Sequence, residues 1–199
     1  MSKRPSNHRL RRTIAEETAR IIADEGVGDY QHAKLKACAR LGLTQVHDLP
    51  NNVEIEAALI ERQRLFATAA DSILLRDLRE RALDIMVALS PFEPHLVGSV
   101  LKGTAGRFAS IQLHLFSDDT ESVAIELINR GVRYEAIDRR QNRLNPGGIP
   151  GFTFEWREFP VELLVFPVDG LRVAPPSPID GKPMQRASRA AVSKLLAEH

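Results

Sequence analysis

The sequence predicts an α+β protein, with helices first and then a mixed β-sheet carrying one crossover helix and one hairpin. Three observations predict it. Residues 13–89 hold apolar residues at helical spacing, rich in Ala, Leu, Glu and Arg. From Pro91 onward the chain breaks into short, β-patterned runs separated by Pro, Gly, Asn and Asp. One helix-patterned run, residues 120–129, lies between two of those strands.

The first helix is predicted to start at Thr13, with Glu16 completing a capping box. Ile14, Ala15, Thr18, Ile21 and Ile22 follow at helical spacing, and Gly26 and Gly28 stop the run. Upstream, Lys3, Arg4, Arg9, Arg11 and Arg12 read as a frayed, solvated terminus. A second helix covers residues 30–40 and ends at Gly42. Asp48-Leu49-Pro50-Asn51-Asn52 is a turn whose asparagines can cap the next helix. Residues 53–89 give two helices or one kinked helix, ending before Pro91.

In the second half, residues 95–101 form a short apolar run between breakers and are predicted to be a strand. In the next, residues 110–116, Ile111, Leu113 and Leu115 face one way and Ser110, Gln112 and His114 the other. Asp118 and Asp119 are the N-terminal acids of the helix over residues 120–129, which Gly131 stops. Residues 132–137 are a strand, and Asn145-Pro146-Gly147-Gly148 is a loop. Residues 152–156 and 161–166 are two strands joined through Arg157 and Glu158. Residues 174–178 are an extended Pro-rich linker, and a last helix runs over residues 184–197. The organisation expected is a helical extension over residues 1–70, a sheet domain over 71–168 and a tail with a terminal helix over 169–199.

Composition narrows the function. At 43% hydrophobic and 27% charged, the 199 residues can bury a core. A net charge of +1 supplies no global field for nucleic acid or membrane. Cys38 is the one cysteine, so no intramolecular disulfide forms, and its place in the helical rhythm reads as core. No apolar run is long enough to span a bilayer, and no apolar segment follows the basic N-terminus, so a cytoplasmic location is the expectation. There is no G-x-x-x-x-G-K-[ST] loop, no G-x-S-x-G elbow and no H-E-x-x-H motif.

The stretch GSVLKGTAGRFASIQLHLFSDD, residues 98–119, carries the most specific signal. Gly98 lets the backbone turn tightly, Lys102 and Arg107 add positive charge, and ten residues separate Ser99 from Ser110. Gly98-Ser99, Gly103-Thr104-Ala105 and the strand that follows resemble the signature of the polymerase-β-like nucleotidyltransferase superfamily in its minimal form. The resemblance covers roughly residues 71–166 and implies a nucleotidyltransferase-like sheet. It also implies a phosphate loop built from Gly98, Ser99, Lys102, Gly103, Thr104 and Arg107. In that family two aspartates at alternate strand positions and a third carboxylate hold two Mg²⁺ ions. Here Ser110 and Gln112 stand at the aspartate positions, and Glu162 is the counterpart of the third acid. His114 shares the face of Ser110 and Gln112 and is a candidate metal ligand with Glu162, although imidazole suits softer ions than Mg²⁺.

The expected function is therefore a degenerate nucleotidyltransferase-fold protein that binds a nucleotide or phosphorylated ligand without two-metal catalysis. One alternative is an active transferase using Glu162 as its catalytic acid with Mg²⁺ or Mn²⁺. A second, drawn from residues 13–43, is a helical DNA-binding regulator, which the composition does not favour: Gly42 is not followed by a helix rich in base-reading side chains.

Overall fold

A computed structural model describes residues 4–43, 48–139 and 148–197. The expected Asn145-Pro146-Gly147 part of the loop lies outside those residues.

Three helices open the chain: α1 (Arg4–Glu25), α2 (Tyr30–Arg40) and α3 (Asn52–Phe66). α1 begins nine residues earlier than predicted, so Thr13 is not a cap. Its hydroxyl instead donates back to the Arg9 carbonyl, as a mid-helix threonine does. Nor is the basic N-terminal run merely solvated. Arg11 donates to both Glu54 carboxylate oxygens at 2.7–2.9 Å and also pairs with Asp48, clamping α1 to the start of α3. α2 and α3 start as their caps dictate. Asp29 accepts from the His32 amide, and Asn51 and Glu54 form a complete capping box. Two small apolar clusters hold this helical layer. Ile14, Ile21, Ala33, Ala37 and Cys38 form one, and Ala15, Ala19, Ile55 and Leu59 the other.

The long helical run divides in two. α4 (Ala69–Ala88) starts at a second capping box, Thr68 with Asp71, which separates it from α3. The domain boundary expected at residues 70–71 thus falls inside the first turn of α4.

The sheet has five strands in the order β1-β2-β5-β4-β3: β1 (His95–Val97), β2 (Ile111–Phe116), β3 (Tyr134–Arg139), β4 (Ile149–Trp156) and β5 (Phe159–Phe166). β2 and β5 run parallel, and every other neighbouring pair is antiparallel. β4 and β5 form the predicted hairpin, and Arg157 and Glu158 turn it with positive φ of 48° and 73°. The strand expected over residues 95–101 stops at Val97. Gly98, at φ 73°, turns the chain into the short helix α5 (Gly98–Lys102). Buried Arg79 of α4 satisfies the end of α5, donating to the carbonyls of Val100 and Leu101.

One face of the sheet carries Ile111, Leu113, Leu115, Val161, Leu163 and Val165, against which α4, α5, α6 (Thr120–Asn129) and α7 (Arg189–Ala197) pack in the main core. α7 is shorter than the predicted last helix. Residues before it are extended instead, and Ala187 pairs with Leu96 at the β1 edge through two backbone hydrogen bonds of 2.8 and 2.9 Å. No helix among the described residues is long and apolar enough to cross a membrane.

Candidate functional site

The opposite sheet face carries the residues singled out in the sequence. Alternation puts Gln112, His114 and Phe116 of β2 on it, in line with Glu162, Leu164 and Phe166 of β5. Gln112 and Glu162 are Cα partners in the parallel ladder, and Val97, just before Gly98, is the partner of Gln112 on the other side. The chain therefore brings the Gly98–Ser99 turn, the second aspartate-equivalent position and the third-acid position side by side. Ser110 directly precedes β2.

What fills that place is uncharged or already paired. The Gln112 carboxamide lies against Gly98, where a β-carbon would collide with its oxygen. Glu162 accepts two hydrogen bonds from Arg139 of β3, at 2.8 Å from Nε and 2.9 Å from Nη2, and its side chain is 12% exposed. Such a fork-to-fork pair occupies both carboxylate oxygens. The residue types at Ser110, Gln112 and Glu162 do not fit a two-metal centre, because hard dications take several oxygen ligands with negative charge among them. Among the described residues, no group of three or more His, Cys, Asp or Glu could hold a metal.

His114 is 2% exposed. Arg186, from the extended segment before α7, donates from Nε to His114 Nδ1 at 3.2 Å. An arginine only donates, so Nδ1 is the unprotonated nitrogen. Burial, then the nearby Arg186 charge and His95, push the His114 pKa down to about 3. Arg186 itself lies 4.9 and 5.3 Å from the ring centres of Phe116 and Phe166, and its Nη1 donates to the Gly170 carbonyl at 2.8 Å. The tail thus lays a cation on this end of the face, a device with no signal in the local sequence pattern.

The expected phosphate loop is divided. Lys102 extends to α3, where its ammonium lies 2.8 Å from Glu56, which also accepts from the Tyr30 hydroxyl at 2.7 Å. Burial and this carboxylate raise the Tyr30 pKa. Gly103, at φ 79°, closes α5. Thr104 and Arg107 line a different cavity of about 390 Å³ between the loop and the helical layer. Asp118 donates nothing to the strand site, as its carboxylate accepts from the Val168 amide at 3.0 Å. Asp119 caps α6 as predicted.

No protein-family model and no curated protein matches the chain. Among solved structures, that of a cytoplasmic RNA terminal U-transferase is similar over 55% of this chain, at 19% identity and a TM-score of 0.30. The match spans only 29% of that protein.

Proposed function

We propose that this chain is a nucleotidyltransferase-like domain that has lost two-metal chemistry and binds a nucleotide or another phosphorylated ligand without a divalent cation. One observation carries the reading: Gln112 and Glu162 are neighbours in the β2–β5 ladder beside Gly98, and Arg139 neutralises the one carboxylate among them. With Gln112 uncharged and Glu162 held by Arg139, the two positions beside Gly98 present no unpaired carboxylate that a bridging metal would have to neutralise.

The alternative of an active transferase with an altered metal site draws on Glu162 and His114. A cation at His114 would face the Arg186 guanidinium, which already donates to Nδ1, and Glu162 would have to release Arg139. The DNA-binding alternative fares no better. In the segment that suggested it, Arg20 pairs with Glu17, and Lys36 and Arg40 pair with Glu25, so these cations are already engaged.

Calorimetric titration of the full chain with ATP, GTP, CTP and UTP, each in excess Mg²⁺ and in EDTA, tests the proposal. It expects at least one nucleotide to bind, with the same affinity in both buffers and no label transferred to any acceptor. Binding that requires Mg²⁺, or transfer of a nucleoside monophosphate, overturns it, as does failure of all four to bind.

A further inference from the structure

The Gly-Thr-Ala segment faces a cavity that the strand site does not use, and that cavity has the makings of a ligand site of its own. Thr104 and Arg107 come from the loop, Asp24 from α1, Arg62 and Phe66 from α3, and Asp71 from the start of α4. At about 390 Å³ it lies within the range of small-molecule sites.

Its two carboxylates and two guanidiniums balance in formal charge, but they are not all paired with one another. Asp24 is taken by Arg62, whose Nη2 lies 2.9 and 3.0 Å from the two carboxylate oxygens. Asp71 accepts from the Thr68 amide and hydroxyl at 2.8 and 2.7 Å. Arg107 has no carboxylate partner among the described residues. Its one hydrogen bond, at 3.5 Å, goes to the Asp24 carbonyl, and its guanidinium lies 4.6 Å from the ring centre of Phe108. Arg107 is therefore the guanidinium of this lining that no carboxylate among the described residues engages, and Thr104 lines the same cavity. Phe66, 65% exposed, offers a ring face at the rim, and Arg62 lies 5.4 Å from its centre.

The loop is held in place without a ligand. A β-carbon on Gly106 would stand 2.9 Å from the Ala23 carbonyl, and one on Gly26 would run into the Phe108 side chain. Gly106 lets the loop backbone approach that of α1, and Gly26 leaves room for the Phe108 side chain, so the cavity is built before anything binds.

From these contacts we propose that the cavity between α1, α3 and the Gly-Thr-Ala loop binds a phosphorylated aromatic molecule of nucleoside monophosphate size. Its phosphate sits on Arg107 and Thr104, and its ring lies along Phe66. The site is separate from the strand face and independent of what that face does.

The test uses the full chain in EDTA, titrated with AMP, GMP, CMP, UMP and inorganic phosphate by calorimetry and by amide NMR shifts. At least one monophosphate binds more tightly than inorganic phosphate and shifts the amides of residues 104–107. Arg107→Gln weakens it about tenfold or more, the scale of one charge-assisted contact, Arg107→Lys recovers part of the loss, and Phe66→Ala weakens it several-fold. Gln112→Ala and Glu162→Gln leave it unchanged. No binding near about 1 mM, equal affinity for inorganic phosphate, or indifference to both Arg107→Gln and Phe66→Ala overturns the proposal. Loss through Gln112→Ala instead overturns it and moves the ligand to the strand face, so the two readings fail separately.

Discussion

Arg139 and Glu162 face each other as a two-pronged pair across the strand that separates them, β4, with both carboxylate oxygens taken at 2.8 and 2.9 Å. The reach is diagonal. Glu162 sits opposite Thr153, and Arg139 opposite Ile149, four residues along β4. Gly151 lies on the same face between the two, and the space a side chain would take there is filled by the Leu163 carbonyl and the Leu164 and Ile137 side chains.

The arginine is 58% exposed, so its pair with Glu162 is partly screened by solvent. A double-mutant cycle of Arg139→Ala and Glu162→Gln should give a coupling of about 0.5–1 kcal/mol by urea denaturation. The coupling should shrink in high salt. A coupling of zero at low salt would mean that the pair does not hold Glu162.

Two glycines on this face should respond differently to alanine. At Gly98 the substitution costs about 1–2 kcal/mol, mostly backbone strain at positive φ, because the obstructing Gln112 amide can swing aside. At Gly151 the β-carbon would strike the Leu163 carbonyl, a ladder atom that cannot move alone. Gly151→Ala should therefore destabilise more than Gly98→Ala, as read from denaturant midpoints. Gln112→Ala should ease Gly98→Ala only slightly and leave Gly151→Ala unchanged. The reverse order would contradict the packing described.

His114 makes stability depend on pH. Its folded pKa, near 3, lies below the unfolded value of about 6.5, so between the two the unfolded chain binds a proton that the folded chain refuses. Stability from this group is full above about pH 6.5. It falls by about 1.4 kcal/mol per pH unit as pH drops toward 3, where the loss ends. The groups around it are Arg186, His95, Phe116 and Phe166, none of them an acid that would favour the imidazolium. His114→Gln should flatten the acid limb of the stability profile by that slope between pH 6 and pH 4. An unchanged slope would place His114 in contact with water.

Most of the fold can be traced to local signals in the chain. Asn51 with Glu54, Asp119 and Gly131 set helix ends, and the alternation of Ile111, Leu113 and Leu115 against Gln112 and His114 fixes which face is core. The errors have physical causes. Val100 and Leu101 look like strand, but the positive φ of Gly98 and the grip of Arg79 on two carbonyls make a helical turn there. The stretch before α7 has helix-compatible residues, yet the free edge of β1 recruits Ala187 as an extended partner. At the site, alternation is local and gives each strand its faces, whereas the nearness of Gln112 and Glu162 is only what the family resemblance implies, because the β2–β5 register is a long-range pairing. Arg139, which pairs with Glu162, and Arg186, which donates to His114, arrive from β3 and from the tail, and long-range pairings of that kind leave no periodic trace. The loop residues Lys102 and Arg107 show the same limit, since the helical layer redirects one and gives the other a separate cavity.

A Mn²⁺ titration followed by electron paramagnetic resonance reads the neutralised strand face most directly, comparing the natural chain with the double substitution Ser110→Asp, Gln112→Asp. Without those aspartates the free-ion signal should fall no further than in buffer. With them a saturable site should appear beside Glu162, tighter still when Arg139→Ala frees the carboxylate. Stoichiometric Mn²⁺ binding by the natural chain, abolished by Glu162→Gln, would contradict the reading.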